Sequence, residues 1–303
     1  MKRAVIAFLL AFALPAHAVV ILEQTWRANG GSHENPGSGF TAHDALGAQT
    51  QFRPMVAITE DDREWGIASG VWLGNANGHA YVLTAAHVVS GDKAEQLRVR
   101  SAGGTVRRGA EYHTHPGWRD DVSLQGGIDM AILVLDGPID DAGTPPILYS
   151  GRREQGARAV IAGFGTHGVA PYGHGWRYGP EHGDAMTAAE NVIDRVEPYR
   201  IGGEGGDWGN QLTIDLDQPN GNGKNRTGDV APISPLEGIL APGDSGGSLW
   251  VNFRGAWRVV GINSSGDPGA AYQDVSNFAR ISTQRGWIRS VFPGVRFEGD
   301  KTE

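Results

Sequence analysis

Short apolar runs recur along the chain, each bounded by glycine, asparagine or proline. Pro54–Thr59, Ile67–Leu73 and Ala80–Thr84 have strand length, and Asn75-Ala76-Asn77-Gly78 between the last two is a turn signal. Gln96–Arg100 alternates, and Gly103-Gly104 follows it as a hairpin tip. Met130–Leu135 is apolar without interruption, the pattern of a strand buried on both faces. Gly143-Thr144-Pro145-Pro146 reads as a linker, after which Ala157–Ala162, Asn191–Val196, Gln211–Leu216, Arg258–Asn263 and Phe278–Ile281 are further strand candidates. Many short strands separated by turns predict an all-β protein, a barrel or a sandwich. Ala28–Phe40 is polar and glycine-rich and is expected to be loop. Within 166–230, Pro171–Gly183, Gly202–Gly209 and Pro219–Gly228 are expected to form surface insertions.

The first apolar run is of another kind. Lys2 and Arg3 precede Ala4–Leu14, which is too short to span a bilayer, and Ala16-His17-Ala18 fits the small-x-small cleavage rule. Residues 1–18 are therefore expected to be a secretory signal, and the protein to be secreted or periplasmic. No later run is apolar enough for a membrane span. The 303 residues suffice for a substantial core, and the 46 glycines favour turns over long helices. The formal net charge of −8, with no basic run, argues against nucleic acid as a partner. There is no cysteine, so the fold is expected to stand without disulfides.

Candidate chemistry lies in three stretches. Ala241–Trp250 reads A-P-G-D-S-G-G-S-L-W. A serine hydroxyl is a poor nucleophile unless a base stands beside it, and its attack on a carbonyl builds charge that preorganised N–H donors must meet. Gly243 has the conformational freedom to turn its N–H inward, and the N–H of Ser245 can join it. Upstream, Y-V-L-T-A-A-H-V-V delivers His87 from an apolar strand, and G-I-D-M-A-I-L-V-L places Asp129 at the mouth of another. Base, orienter and nucleophile thus occur in the order His87, Asp129, Ser245.

Together T-A-A-H, D-M-A-I-L and G-D-S-G-G-S resemble the trypsin/chymotrypsin-like serine peptidase family, in a bacterial-type form without disulfides. The resemblance implies two six-stranded antiparallel β-barrels packed together, with a short C-terminal helix at Trp287–Val291. The expected division is a segment over 19–50, a first barrel over 51–145 carrying His87 and Asp129, and a second over 146–303 carrying Ser245. Gly163-Phe164-Gly165 is similar to a turn early in the family's second barrel. The implied activity is serine-type endopeptidase hydrolysis through an acyl-enzyme, with Gly243 and Ser245 as oxyanion donors, no cofactor, a protein or peptide substrate and a monomeric state.

The resemblance also implies a substrate pocket with Ile239 at its floor, Ser276 on its wall, and Ser264, Ser265 and Gly266 on the strand that pairs with the substrate backbone. With no acid at the floor, a Lys or Arg side chain would be buried unpaired. Asn263 stands where glutamate-specific relatives carry histidine. An uncharged, small or apolar residue is therefore the expected preference. Family members pair the residue at Asp244 with a freed N-terminal ammonium. No Ile/Val-Val-Gly-Gly site is present, so removal of the signal would itself have to supply the ammonium at Val19 or close by. His87 then lies farther downstream than is usual, which requires an extra loop within 28–50. A side-chain partner for Asp244 is the alternative.

Weaker motifs complete the reading. His113 and His115 alternate as two ligands on one strand face do, but His115-Pro116 also fits the family, and no metal is expected. Asp215, Asp217, Asn220 and Asn222 offer oxygen ligands without EF-hand spacing and read as a solvated loop, as do Glu181, His182 and Asp184. Two other functions compete: a catalytically silent binding module on the same fold, and an esterase-like hydrolase. Gly243–Gly247 matches G-x-S-x-G, but both partners precede the serine and strands follow it, unlike an α/β-hydrolase.

Overall fold

The computed structural model describes residues 19–60, 65–119, 127–174, 185–197, 209–221, 226–228, 231–267, 269 and 271–300. The expected signal over 1–18 lies outside them, as do Glu181, His182, Asp184 and Asn222. The chain enters as β1 (Val20–Leu22), followed by helices α1 (Glu23–Ala28) and α2 (Thr41–Gly47). Six strands then form a closed barrel: β2 (Met55–Glu60), β3 (Ala68–Ala76), β4 (His79–Thr84), β5 (Leu97–Ser101), β6 (Val106–Thr114) and β7 (Ala131–Leu135). Their order is β2-β3-β4-β7-β6-β5, with β5 returning to β2. One turn of helix, α3 (Ala86–Val89), follows β4.

The second half contributes β8 (Arg158–Gly163), β9 (Gly168–Ala170), β10 (Gly173–His174), β11 (Thr187–Val192), β12 (Arg195–Glu197), β13 (Gln211–Asp215), β14 (Gly238–Ile239), β15 (Ser248–Phe253), β16 (Ala256–Gly266) and β17 (Val275–Arg280). Seven of these make a curled sheet in the order β11-β8-β15-β16-β17-β13-β12, and β10-β9-β1-β14 form a smaller sheet that includes the N-terminal strand. Helix α4 (Arg285–Val291) closes the chain. The expected chymotrypsin-like all-β fold is thus present, with the second half a seven-stranded half-barrel.

The apolar runs follow from two cores that share the first barrel. On β2, Val56 and Ile58 point into that barrel with Val82, Leu97, Val99 and Leu133, whereas Met55 and Ala57 face the seam between the two halves. Val71, Leu83 and Ile132 join them there, against Ala162, Trp250, Ile262 and Ala279 of the second sheet and Ile288 and Phe292 near the C-terminus. With successive side chains alternating between two buried faces, the strands lose the polar half of the usual alternation. Each fully buried Val, Leu or Ile contributes about 1.5–3 kcal/mol.

The N-terminal segment differs from the loop expected over Ala28–Phe40. Ala28 ends α1, Gly37–Phe40 is a 3-10 turn, and α2 follows directly. These helices of six or seven residues are too short to show a period or to stand alone. Tertiary contacts hold them: buried Trp26 donates its indole N–H to Pro36 O at 2.9 Å, and Phe40 stacks on His167 with ring centroids 4.0 Å apart. The insertion at 166–230 likewise carries β9–β13, and the strand expected at 191–196 is split between β11 and β12.

Candidate active site

His87 sits on the single turn α3 that caps β4, and Asp129 immediately precedes Met130 and β7, the strand beside β4. Their side chains therefore emerge together. His87 Nδ1 lies 2.7 Å from Asp129 Oδ2, and the backbone N–H of His87 donates to Oδ1 at 3.0 Å. The Ser264 hydroxyl donates to Oδ2 at 2.7 Å. Asp129 is fully buried, and these three donors surround its carboxylate. An acceptor at Nδ1 assigns the proton to that nitrogen and leaves the Nε2 lone pair free to take one. The imidazole remains a quarter exposed, so a substrate can reach it.

The serine turn runs from β14 to β15 over Ala241–Gly247, and each of its carbonyls from Ala241 to Ser245 has a donor. Ala241 O accepts the N–H of Asp244 at 3.0 Å. Pro242 O accepts both the N–H and the hydroxyl of Thr166, each at 2.6 Å. Gly243 O accepts the Ser69 hydroxyl at 3.0 Å. Asp244 O accepts the N–H of Gly247 at 2.9 Å and Asn263 Nδ2 at 3.0 Å, and Ser245 O accepts the N–H of Ser69 at 2.8 Å. In a trans peptide the N–H points opposite the preceding C=O. Pinning Pro242 O to Thr166 and Asp244 O to Gly247 and Asn263 therefore turns the N–H groups of Gly243 and Ser245 away from those partners, and neither donates to any group among the described residues. Gly243 holds this shape at φ +92°, which a side chain would strain. At Gly246, a Cβ would run into Thr84 Oγ1 and Ser69 O and reach Ala85 N at 2.9 Å. The serine turn thus packs directly on Thr84-Ala85, the residues that lead into His87.

Asp244 is fully buried beneath this turn. Its Oδ2 accepts the N–H of Ala241 at 2.9 Å and that of Val19 at 3.0 Å, and its Oδ1 accepts the N–H of Gly165 at 3.1 Å. Burial pushes its carboxyl up to about 6, against the opposing pull of these three amides. Val19 is brought here by β1, which runs parallel to β9 and antiparallel to β14, with Val20 opposite Ile239.

The model of the trypsin-like peptidase domain matches residues 68–262, about two thirds of the chain and all three of His87, Asp129 and Ser245. The chain belongs to this family. No curated protein matches it. In this trypsin-like peptidase domain the remaining expected site residues are distributed unevenly. Ile239 is buried beside Val20 in a third apolar cluster, which lies within the second half. Ser276 is also buried, and its hydroxyl accepts the N–H of Leu240 at 3.1 Å. Ser265 and Gly266 pair with Asn277 and Ser276 of β17, whereas β15 leaves β16 at Ser248–Ile262. The 264–266 edge beside the serine turn therefore has no strand partner on that side among the described residues, which suits strand addition.

Ser264, expected on the strand that pairs with the substrate backbone, also places its hydroxyl on Asp129. Ser69, Thr166 and the amide of Asn263 join the site without belonging to any of the three motifs. A signal existed for Ser69, a hydroxyl inside the apolar run Ile67–Leu73 that must find partners once buried. His115, weighed as a metal ligand, donates from Nε2 to Gln284 Oε1 at 2.8 Å and accepts the N–H of Gly117 at Nδ1. His113 faces Glu111 at 3.6 Å. Asp215 and Asp217 lie in a buried acidic group rather than a solvated loop: Asp215 Oδ2 accepts the N–H groups of Arg226 and Thr227, and the N–H of Asp217 donates to Glu237 Oε1 at 2.8 Å. Burial pushes Glu237 up to about 7. Among the described residues no three His, Asp or Glu side chains are placed to hold a metal, and no helix is long and apolar enough to cross a membrane.

Proposed function

We infer that the protein is a secreted serine endopeptidase acting through His87, Asp129 and Ser245. The observation that carries this reading is the pairing of a buried Asp129–His87 couple with a serine turn whose Gly243 and Ser245 N–H groups have no acceptor among the described residues. In the proposed reaction Ser245 Oγ attacks the scissile carbonyl while His87 Nε2 takes its proton. The carbonyl oxygen becomes an oxyanion received by the two N–H groups. The intermediate collapses to an acyl-enzyme as His87 returns the proton to the departing amine. Water, deprotonated in turn by His87, then releases the acid and restores Ser245. Asp129 holds the imidazole tautomer and stabilises the imidazolium, and Ser264 holds Asp129.

Export would complete the site. Cleavage after Ala18 converts the Val19 nitrogen, 3.0 Å from Asp244, from an amide into an ammonium. The retained donors argue against a silent binding module, which has no chemical use for unpaired N–H groups beside an oriented histidine. The test is incubation of the mature chain and its Ser245→Ala variant with a diverse peptide library, mapping cleavage sites and thermal unfolding together. Hydrolysis by the wild type, absent from a folded Ser245→Ala chain, is expected, with uncharged residues on the acyl side of the cut. Wild-type turnover in the serine variant, or a chain that turns over esters but no peptide, would sink the reading.

A further inference from the structure

We propose that Ser69 is the positioning residue that keeps the oxyanion turn in its donating conformation, assisted by the hydroxyl of Thr166. This assignment rests on the peptidase reading above and adds to it a residue outside the triad. Ser69 lies on β3 of the first barrel, whereas the turn it grips belongs to the second half. It is fully buried and every polar atom it has is engaged. Its N–H donates to Ser245 O at 2.8 Å, its hydroxyl donates to Gly243 O at 3.0 Å and accepts the N–H of Phe164 at 2.9 Å, and its carbonyl accepts the Thr84 hydroxyl at 2.8 Å. One residue thereby fixes two carbonyls of the turn, the residue that follows β8 and the approach to His87.

The consequence for chemistry follows from peptide geometry. The carbonyl of Gly243 fixes the plane of the 243–244 peptide, and that of Pro242 fixes the 242–243 peptide, whose N–H is one of the two donors. Gly243 lacks a side chain, so its own torsions resist a flip of that N–H only weakly. What resists it is the grip on either side: Ser69 Oγ on Gly243 O, and Thr166 N and Oγ1 on Pro242 O. Loss of the Ser69 hydroxyl removes one of the two bonds that hold the 243–244 peptide, leaving the Asp244 N–H on Ala241 O, and takes the acceptor from the Phe164 N–H, while the bonds of His87 and Asp129 and the Ser69 backbone bond to Ser245 remain. The donor at Gly243 is then poorly aimed when charge develops on the substrate oxygen, an effect felt in the transition state more than in binding.

The experiment compares mature wild type, Ser69→Ala and Thr166→Val for kcat and KM on a chromogenic peptide drawn from the library. It also measures inhibition by a peptide aldehyde of the same sequence, whose adduct carries the oxyanion. Removing an oxyanion donor outright costs about 10²–10³ in kcat. Misaiming one is expected to lower kcat by roughly 10- to 100-fold in Ser69→Ala and by several-fold in Thr166→Val. KM should stay within about twofold, aldehyde affinity should weaken in step with kcat, and the pH midpoint of kcat/KM should not move. A folded Ser69→Ala chain with wild-type kcat, or a loss carried by KM with aldehyde affinity unchanged, overturns the proposal. Should Ser69→Ala fail to fold, Thr166→Val decides it by the same criteria, since its backbone bond to Pro242 survives. A wild type without peptide hydrolysis overturns the functional reading itself.

Discussion

Retaining a single residue before Val19 should separate the contribution of the N-terminal ammonium from that of the rest of the site. In the uncut chain the Val19 nitrogen is an amide, and the Asp244 carboxyl stands at about 6 against an ordinary 3.8 because burial penalises its charge. At 1.36 kcal/mol per pH unit, that rise corresponds to about 3 kcal/mol. The sign follows from proton binding: between 3.8 and about 6 the folded chain holds a proton that the unfolded chain has lost. The stability this contributes is therefore complete below pH 3.8 and gone once pH rises through 6. A free ammonium 3.0 Å away favours the ionised carboxylate and removes this loss. Mature protein beginning at Val19 and a form retaining Ala18 should thus unfold at similar temperatures near pH 3.8, with the gap opening as pH rises toward 6. At pH 8 the retained form should unfold roughly 5–10 °C lower, on the usual scaling of stability to Tm. Its turnover should fall over the same pH interval, since Asp244 lies directly beneath the oxyanion turn. Calorimetry from pH 3.8 to 8, with initial rates wherever turnover is measurable, makes the comparison. Coincident curves for the two forms at pH 8 would refute the ammonium–Asp244 pair and leave Asp244 held by its amides alone.

Other consequences are as direct. Asp129→Asn should leave the fold intact but present the wrong donor to His87 Nδ1; the equivalent change in a chymotrypsin-type triad lowers kcat by about 10⁴, and single-turnover acylation rates measure it here. His43 is buried on α2, and burial pulls it down to about 4, with Nδ1 bonded to Ala188 O at 2.9 Å and Nε2 without a partner among the described residues. The stability it contributes is present above pH 6.5 and lost as pH falls through 6.5 to 4, by about 3 kcal/mol. Denaturant titrations of wild type and His43→Gln should therefore converge with falling pH; parallel curves would show that His43 does not titrate in this way.

The candidate site residues could be nominated from the chain before their surroundings could. His87, Asp129 and Ser245 each stand at a strand end inside a motif whose residue types have few other uses, so local sequence sufficed to nominate them. The apolar runs likewise located most of the strands, because a strand buried on both faces needs no alternation to be recognised. Three things required the assembled fold. The helices at 23–28 and 41–47 are held by contacts outside themselves, Trp26 on Pro36 and Phe40 on His167. The seven-stranded curl of the second half depends on which strand edges meet, and hydrogen-bond pairing between distant segments has no local signature. The partners of Asp244 and of the serine turn's carbonyls come from Val19, Ser69, Gly165, Thr166 and Asn263, which are scattered along the chain. A buried polar group demands a partner, and that much can be read from residue types; which partner answers is set by packing, and packing is a property of the whole molecule.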